Sequence, residues 1–167
     1  MLEIREARPE EWAQVGAFTQ AWDEFTPAAP NETWYAYYAF LGDAKRRTAM
    51  LVALADRELA GTVTLELEQT LDGDPLAPEQ ASMRMLAVAP GRRRQGIGRA
   101  LVAACLERTT AVGKSYLTLH TAPEMRAAQQ LYRSFGFERS PDADYSPGPG
   151  YHLLAYQLRL AQGPVSE

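Results

Sequence analysis

A mixed α/β sheet with helices on both faces is the fold class predicted for this 167-residue chain. Three observations predict it. Beyond residue 81, strand-like and helix-like hydrophobic periods alternate, which calls for parallel pairing through helical crossovers. A tight Asp56-Arg57 turn between two apolar runs calls for an antiparallel hairpin. The length, with 46% hydrophobic residues, is enough for one core without disulfides or metals. One domain over 1–160 is expected, followed by a loose, flexible tail at 161–167.

The elements follow in order. Residues 2–7 alternate as a first strand, and Pro9-Glu10-Glu11 opens a helix to about Gln20, with Pro and acids where a helix start favours them. Asn31 is a candidate N-cap for a second helix through Trp34, Tyr38 and Leu41, stopped near Gly42. Strands are expected at 48–55 and 59–67, with Val63, Leu65 and Leu67 on one face, and at 81–88 after a polar loop. Ile97, Ala100, Leu101, Ala104 and Cys105 recur at helical spacing before Gly113. A short strand at 115–120 leads to Thr121-Ala122-Pro123-Glu124, which fits a capping box. The helix that follows carries Ala128, Leu131, Tyr132 and Phe135 in one stripe, and Gly136 stops it. A strand start at 137–139, a Pro/Gly loop at 142–150 and a last strand at 151–159 complete the series.

Bulk composition excludes several functions. No apolar run approaches the ~20 residues of a membrane span, and the N-terminal residues lack the shape of a signal peptide, so a cytoplasmic protein without a membrane partner is expected. A net charge of −4 disfavours nucleic acid as a partner. One Cys and two His make no recognisable zinc cluster, and Cys105, inside an apolar helical pattern, reads as a small core residue.

Against that acidic background, Arg92, Arg93, Arg94 and Arg99 concentrate positive charge in one turn. There a strand ends near Pro90 and a helix begins near Gly96. First-turn N–H groups of a helix lack intrahelical acceptors, and Gly96 and Gly98 remove side chains that would keep an anion away from them. A diphosphate cradle is the physical reading, and a solvated arginine loop capping a helix is the plain alternative on these glycines alone. A Walker A loop is excluded because Gly98 is followed by Arg99-Ala100 rather than Lys-Ser/Thr. A dinucleotide fingerprint is excluded by Leu101 in place of the third glycine.

The longer string Val88-x-Pro90-x-x-Arg93-x-x-Gly96-x-Gly98-x-Ala100-Leu101 resembles the acetyl-CoA motif of the GNAT N-acetyltransferase superfamily. Ala128-x-x-Leu131-Tyr132-x-x-x-Gly136-Phe137 is similar to the second signature of that family, in the right order and spacing. The resemblance covers roughly residues 81–139. It implies the GNAT fold: a central, mixed, mostly antiparallel sheet of six to seven strands, splayed between 81–88 and 115–119 and flanked by four helices. It implies acetyl-CoA as cofactor, with the pantetheine arm pairing near Leu86, Ala87 and Val88. Arg93, Arg94, Gln95, Gly96, Ile97, Gly98 and Arg99 would hold the pyrophosphate, no metal is implied, and Tyr132 would protonate the leaving thiolate.

Two positions depart from the pattern that many relatives share. Met125 stands where they carry Asn, and Ser82 where they carry a Glu available as general base. The base is therefore open among Glu66, Glu68, His120, His152 and water, and the glutamates equally fit a solvated strand face. Trp22, Phe25, Trp34, Tyr35, Tyr37 and Tyr38, with Asp142, Asp144 and Tyr145, would suit a cationic amine in the acceptor pocket. The expected activity is transfer of acetyl from acetyl-CoA to a primary amine of a small molecule or peptide by direct attack. Rival readings are a catalytically silent acyl-CoA-binding module and a protein N-terminal or lysine acetyltransferase. Homodimers are common among relatives.

Overall fold

The computed structural model describes residues 1–22, 48–68, 76–148 and 151–160. Strands β1 (Leu2–Glu6), β2 (Thr48–Ala55), β3 (Glu58–Glu66), β4 (Gln80–Val88), β5 (Tyr116–Thr121), β6 (Glu138–Arg139), β7 (Tyr145–Gly148) and β8 (Tyr151–Arg159) alternate with helices α1 (Trp12–Trp22), α2 (Ile97–Ala111) and α3 (Arg126–Phe135). The strands lie in the order β1-β2-β3-β4-β5-β8-β6, with β7 on β8. Only β4 and β5 pair in parallel. The described residues form a sheet of eight strands, one more than the upper expectation. The extra one, β7, lies in the expected Pro/Gly loop and pairs with β8 only at Tyr145↔Leu153 and Gly148↔Tyr151.

Asp56 and Arg57 both adopt positive φ, 52° and 72°, which matches the twist of the β2–β3 hairpin they join. Pro9–Glu11 is a single 3-10 turn, so α1 proper starts at Trp12. The expected helix at 31–42 and the tail at 161–167 lie outside the described residues. No described helix is long and apolar enough to cross a membrane.

Alternation along each strand divides the side chains between two faces. Leu51, Ala53, Val63, Leu65, Ala81, Met83, Leu117 and Leu119 pack on one face against Ile97, Leu101, Val102 and Cys105 of α2 and Tyr132 of α3. Met50, Val52 and Met85 pack on the other against Val15 and Trp12 of α1. Cys105 is fully buried, and desolvation pushes its thiol up to about 12, so it is the inert core residue expected.

The capping box at Thr121 does not form. Thr121 is buried and still paired with Leu154 in the β5–β8 ladder, so tertiary pairing takes the residue that local pattern assigns to a cap. Helix α3 starts five residues later, with Met125 at its N-cap and no side-chain cap. Gln129 closes the junction instead, donating from Nε2 to the carbonyls of Ala122 (3.2 Å) and Pro123 (2.9 Å).

At the β1–α1 junction, Arg5 grips Glu11 through two bonds of 2.7 and 2.9 Å, and Glu11 also accepts from the Arg8 N–H at 2.8 Å. The Arg5 hydrogen bonds, then the Arg8 N–H, hold the Glu11 carboxyl down at about 2 against an ordinary 4.5. A folded value below the unfolded one means this stability is complete above about pH 5 and lost as pH falls toward about 2. Glu11→Gln should cost roughly 1 kcal/mol at neutral pH, since the pair is partly solvated. It should also flatten the acid limb of a melting-temperature profile; identical acid limbs in the two proteins would refute the assignment.

Candidate active site

The parallel ladder between β4 and β5 runs from Gln80↔Tyr116 to Met83↔Leu119 and ends there. Strand β4 continues to Val88, paired with β3 on its other side. Residues 84–88 therefore present about 16 Å of strand edge without a ladder partner among the described residues. A β-bulge marks the parting. Thr62 pairs with Ala87 and Thr64 with Arg84, so Met85 and Leu86 together face Val63, and Met85 takes φ of 60°. The extra residue reverses the alternation. Ala81 and Met83 face the α2 side, Met85 faces α1, and Leu86 and Val88 turn back onto the α2 side.

Beyond Val88 a 3-10 turn, Pro90–Arg92, leads to Arg94 and Gly96, whose φ values of 65° and 77° bend the chain into α2. Gly96 is the N-cap and supplies no side-chain cap. The first intrahelical bond runs from the Ala100 N–H to the Gly96 carbonyl at 3.0 Å, so the N–H groups of Ile97, Gly98 and Arg99 precede it in the first turn. A Cβ built on Gly96 would meet nothing within 4 Å, so open space lies over this end of the helix.

The predicted cradle residues take distinct roles. The Ile97 side chain is buried and anchors α2, leaving its backbone as the group that faces outward. Arg93 and Arg94 are exposed, and Gln95 reaches only the Gly91 carbonyl, at 3.5 Å. Arg92 is drawn to Glu58 (3.2 Å) and Asp56 (3.9 Å). Arg99 donates to Ser134 Oγ at 2.8 Å and covers the Phe135 ring at 5.0 Å, so Arg92 and Arg99 are both engaged by the protein itself. Gly98 is also constrained by packing. A Cβ there would come within 3.3 Å of Leu131, so α3 packs closely on this residue.

Tyr132 is 5% exposed and lies in the cluster that holds Met83 and Leu119, the last pair of the parallel ladder. Its ring contacts Phe137 edge-on at 5.8 Å and Tyr156 at 6.5 Å. On the α1 face, register aligns Glu66, Ser82 and Thr118 across β3, β4 and β5 in the row just before the strands part. Glu66 is 1% exposed and 3.6 Å from Arg84, so β3 has no solvated glutamate face at this position. Glu68 is exposed but lies past the end of β3, on the side away from the parting.

His120 stands on β5 one residue past the ladder's end, on the α1 face. Its Nε2 is 2.8 Å from the Ala143 carbonyl. His152 is 3.8 Å from Asp144. Asp144 accepts two bonds of 2.7 Å from Arg139 and one of 2.7 Å from the Ala155 N–H, and these hold its carboxyl well below the usual range. Its charge is matched by Arg139, which leaves exposed Asp142 as the solvated acid of the loop. Phe25, Trp34, Tyr35, Tyr37 and Tyr38 lie outside the described residues. No metal-ligating cluster occurs among the described residues.

The model of the acetyltransferase (GNAT) family matches residues 15–137, spanning the unzipped strand pair, the cradle and Tyr132. The chain belongs to the GNAT acetyltransferase family. It is 38% identical over 74 residues, 44% of its length, to N-acetyltransferase family 8 member 3 of Rattus norvegicus, and the match spans 32% of that protein. Solved structures share the GNAT fold. An acetyltransferase of the GNAT family from Staphylococcus aureus superposes with a TM-score of 0.73 at 17% identity, covering 96% of this chain and 100% of that one. The ribosomal-protein-S18-alanine N-acetyltransferase of Escherichia coli gives 0.74 at 18%, with 100% and 99% covered. A Salmonella typhimurium protein solved with its cofactor acetyl-CoA gives 0.70 at 19%, with 99% and 98% covered.

One feature of this GNAT chain escaped the motif reading. A Cβ on Gly61 of β3 would lie 2.9 Å from Ile97, 3.0 Å from Leu101 and 3.1 Å from the Ala87 carbonyl. An isolated glycine in an apolar strand is itself a signal of close approach. Gly61→Ala should push the start of α2 off the sheet, cost about 1–3 kcal/mol and weaken acetyl-CoA binding. Calorimetry and ligand titration measure both effects, and an unchanged melting temperature would contradict the packing role.

Proposed function

We propose that the chain transfers acetyl from acetyl-CoA to a primary amine of a small molecule or peptide by direct attack. The observation that carries this reading is the β4 edge, without a ladder partner among the described residues, leading into the N-terminus of α2. An extended pantetheine arm can pair with backbone at Leu86, Ala87 and Val88 as an added strand does. The pyrophosphate then meets the N–H groups of Ile97, Gly98 and Arg99, with Arg93 and Arg94 supplying charge. The arrangement fits a diphosphate on an extended arm, and when bound this donor supplies an acyl group already activated as a thioester. A single sheet from Leu2 to Arg159 supports taking residues 1–160 as one catalytic unit.

Tyr132, beside the point where the strands part, delivers its phenol proton to the leaving sulfur. His120 is the base the geometry favours. A carbonyl only accepts, so the Nε2 facing Ala143 carries the proton and Nδ1 keeps a lone pair for the amine. Glu66 is closed in beside Arg84, Glu68 lies away from the parting, and His152 sits against Asp144. Ser82, where many relatives carry a carboxylate, favours one second reading: a silent acyl-CoA-binding module.

Thiol release from acetyl-CoA, measured against polyamines, amino acids, aminoglycosides and peptides, separates the two. Turnover with an amine, a kcat at least ~10²-fold lower in Tyr132→Phe, and a similarly large fall in kcat in His120→Ala are expected. Tight acetyl-CoA binding with no turnover on any amine would establish the silent module. For the cradle, Arg94→Asn keeps a residue tolerant of positive φ and removes one charge. It should raise the Kd for CoA about tenfold and leave the Kd for dephosphorylated pantetheine unchanged; equal effects on both ligands would refute the pyrophosphate assignment.

A further inference from the structure

Behind Tyr132 lies a buried polar network that the reaction as described does not use. Tyr156 of β8 is 1% exposed, and its hydroxyl donates to Gln129 Oε1 at 3.1 Å. The same hydroxyl accepts from Arg133 Nη2 at 3.1 Å. Gln129, 8% exposed, spends its amide nitrogen on the carbonyls of Ala122 and Pro123. Gln129 and Arg133 are four residues apart on α3, so they share one face of the helix, and Tyr132 lies between them in sequence. The Tyr156 ring in turn packs on Tyr132 and lies under the guanidinium groups of Arg133 (5.9 Å) and Arg139 (5.6 Å).

The chain of contacts has a definite mechanical sense. Tyr156 pairs across the sheet with Leu119, the β5 residue at which the parallel ladder ends. Its hydroxyl therefore refers the helix to the strand that forms one wall of the gap. A helix held to a sheet by apolar contacts alone can rotate by a fraction of a turn at small cost. Two hydrogen bonds to one buried oxygen, from residues on the turn that carries Tyr132, remove that freedom. A buried hydroxyl and amide are also costly to leave unpaired, which makes the arrangement all-or-none.

We propose that the Tyr156 hydroxyl, gripped by Gln129 and Arg133, is a positioning device that fixes the rotation of α3 and so aims the Tyr132 phenol at the reacting sulfur. The proposal rests on Tyr132 being the acid. Neither Tyr156 nor Gln129 need touch the substrate; both act through Tyr132.

Tyr156→Phe is the decisive variant, because it keeps the ring against Tyr132 and deletes only the oxygen. Its kcat should fall about ten- to hundredfold, the range for a misaimed catalytic group, with the KM for acetyl-CoA and the Kd for CoA unchanged. In a Tyr132→Phe background the same substitution should change kcat less than twofold, since its target is gone. An equal loss in both backgrounds, or an unchanged kcat in folded Tyr156→Phe, overturns the proposal. If Tyr132→Phe alone retains full activity, the acid assignment fails instead, so the two failures are distinguishable. Should Tyr156→Phe not fold, Gln129→Met, which keeps length and loses both ends of the network, is put through the same cycle with the same expected outcome.

Discussion

The parallel ladder between β4 and β5 cannot continue past Met83↔Leu119, and the arrangement of the site depends on that constraint. Two parallel strands normally stay paired because a buried N–H or C=O without a partner costs roughly as much as a lost hydrogen bond. Here β4 is turned by the bulge at Met85 while β5 is held by six consecutive pairs with β8. One strand bends and the other does not. The gap between them is framed by the N-terminus of α2, by Tyr132 on the α2 face and by His120 on the α1 face.

Around that gap, packing and chemistry place different demands on the same residues. Gly98 lies inside the motif and Gly61 outside it, yet neighbouring elements press on both: Leu131 in one case, Ile97 and the Ala87 carbonyl in the other. Of the glycines beside the gap, Gly96 combines a positive φ with open space, which is the geometry the proposed anion site calls for. The arginines divide similarly. Arg92 and Arg99 brace the turn against Glu58 and Ser134, and Arg93 and Arg94 stay exposed.

Local chemistry made part of this legible before any coordinates. The strand end, the glycine pair and the Leu131-Tyr132 helix are each written within a few residues, because helix ends and apolar stripes depend on near neighbours. The hairpin at Asp56-Arg57 is legible for the same reason. What stayed hidden depends on partners far away in sequence. Thr121 carries a capping pattern but is claimed by Leu154 across the sheet. Glu66 sits in an alternating strand that fits a solvated face, until cover on both sides of β3 buries it. Nothing adjacent to Met85 announces its left-handed backbone, and nothing near Gln129 points to Tyr156, twenty-seven residues on.

The bulge at Met85 has a further consequence for the protein in solution. A free strand edge flanked by Leu86 and Val88 offers hydrogen bonds to any extended chain, including a second copy of itself. The extra residue kinks that edge and increases its local twist, so a straight foreign strand cannot follow it, while a thin flexible arm can. The irregularity that opens the sheet thus also guards it against intermolecular association when no ligand is bound.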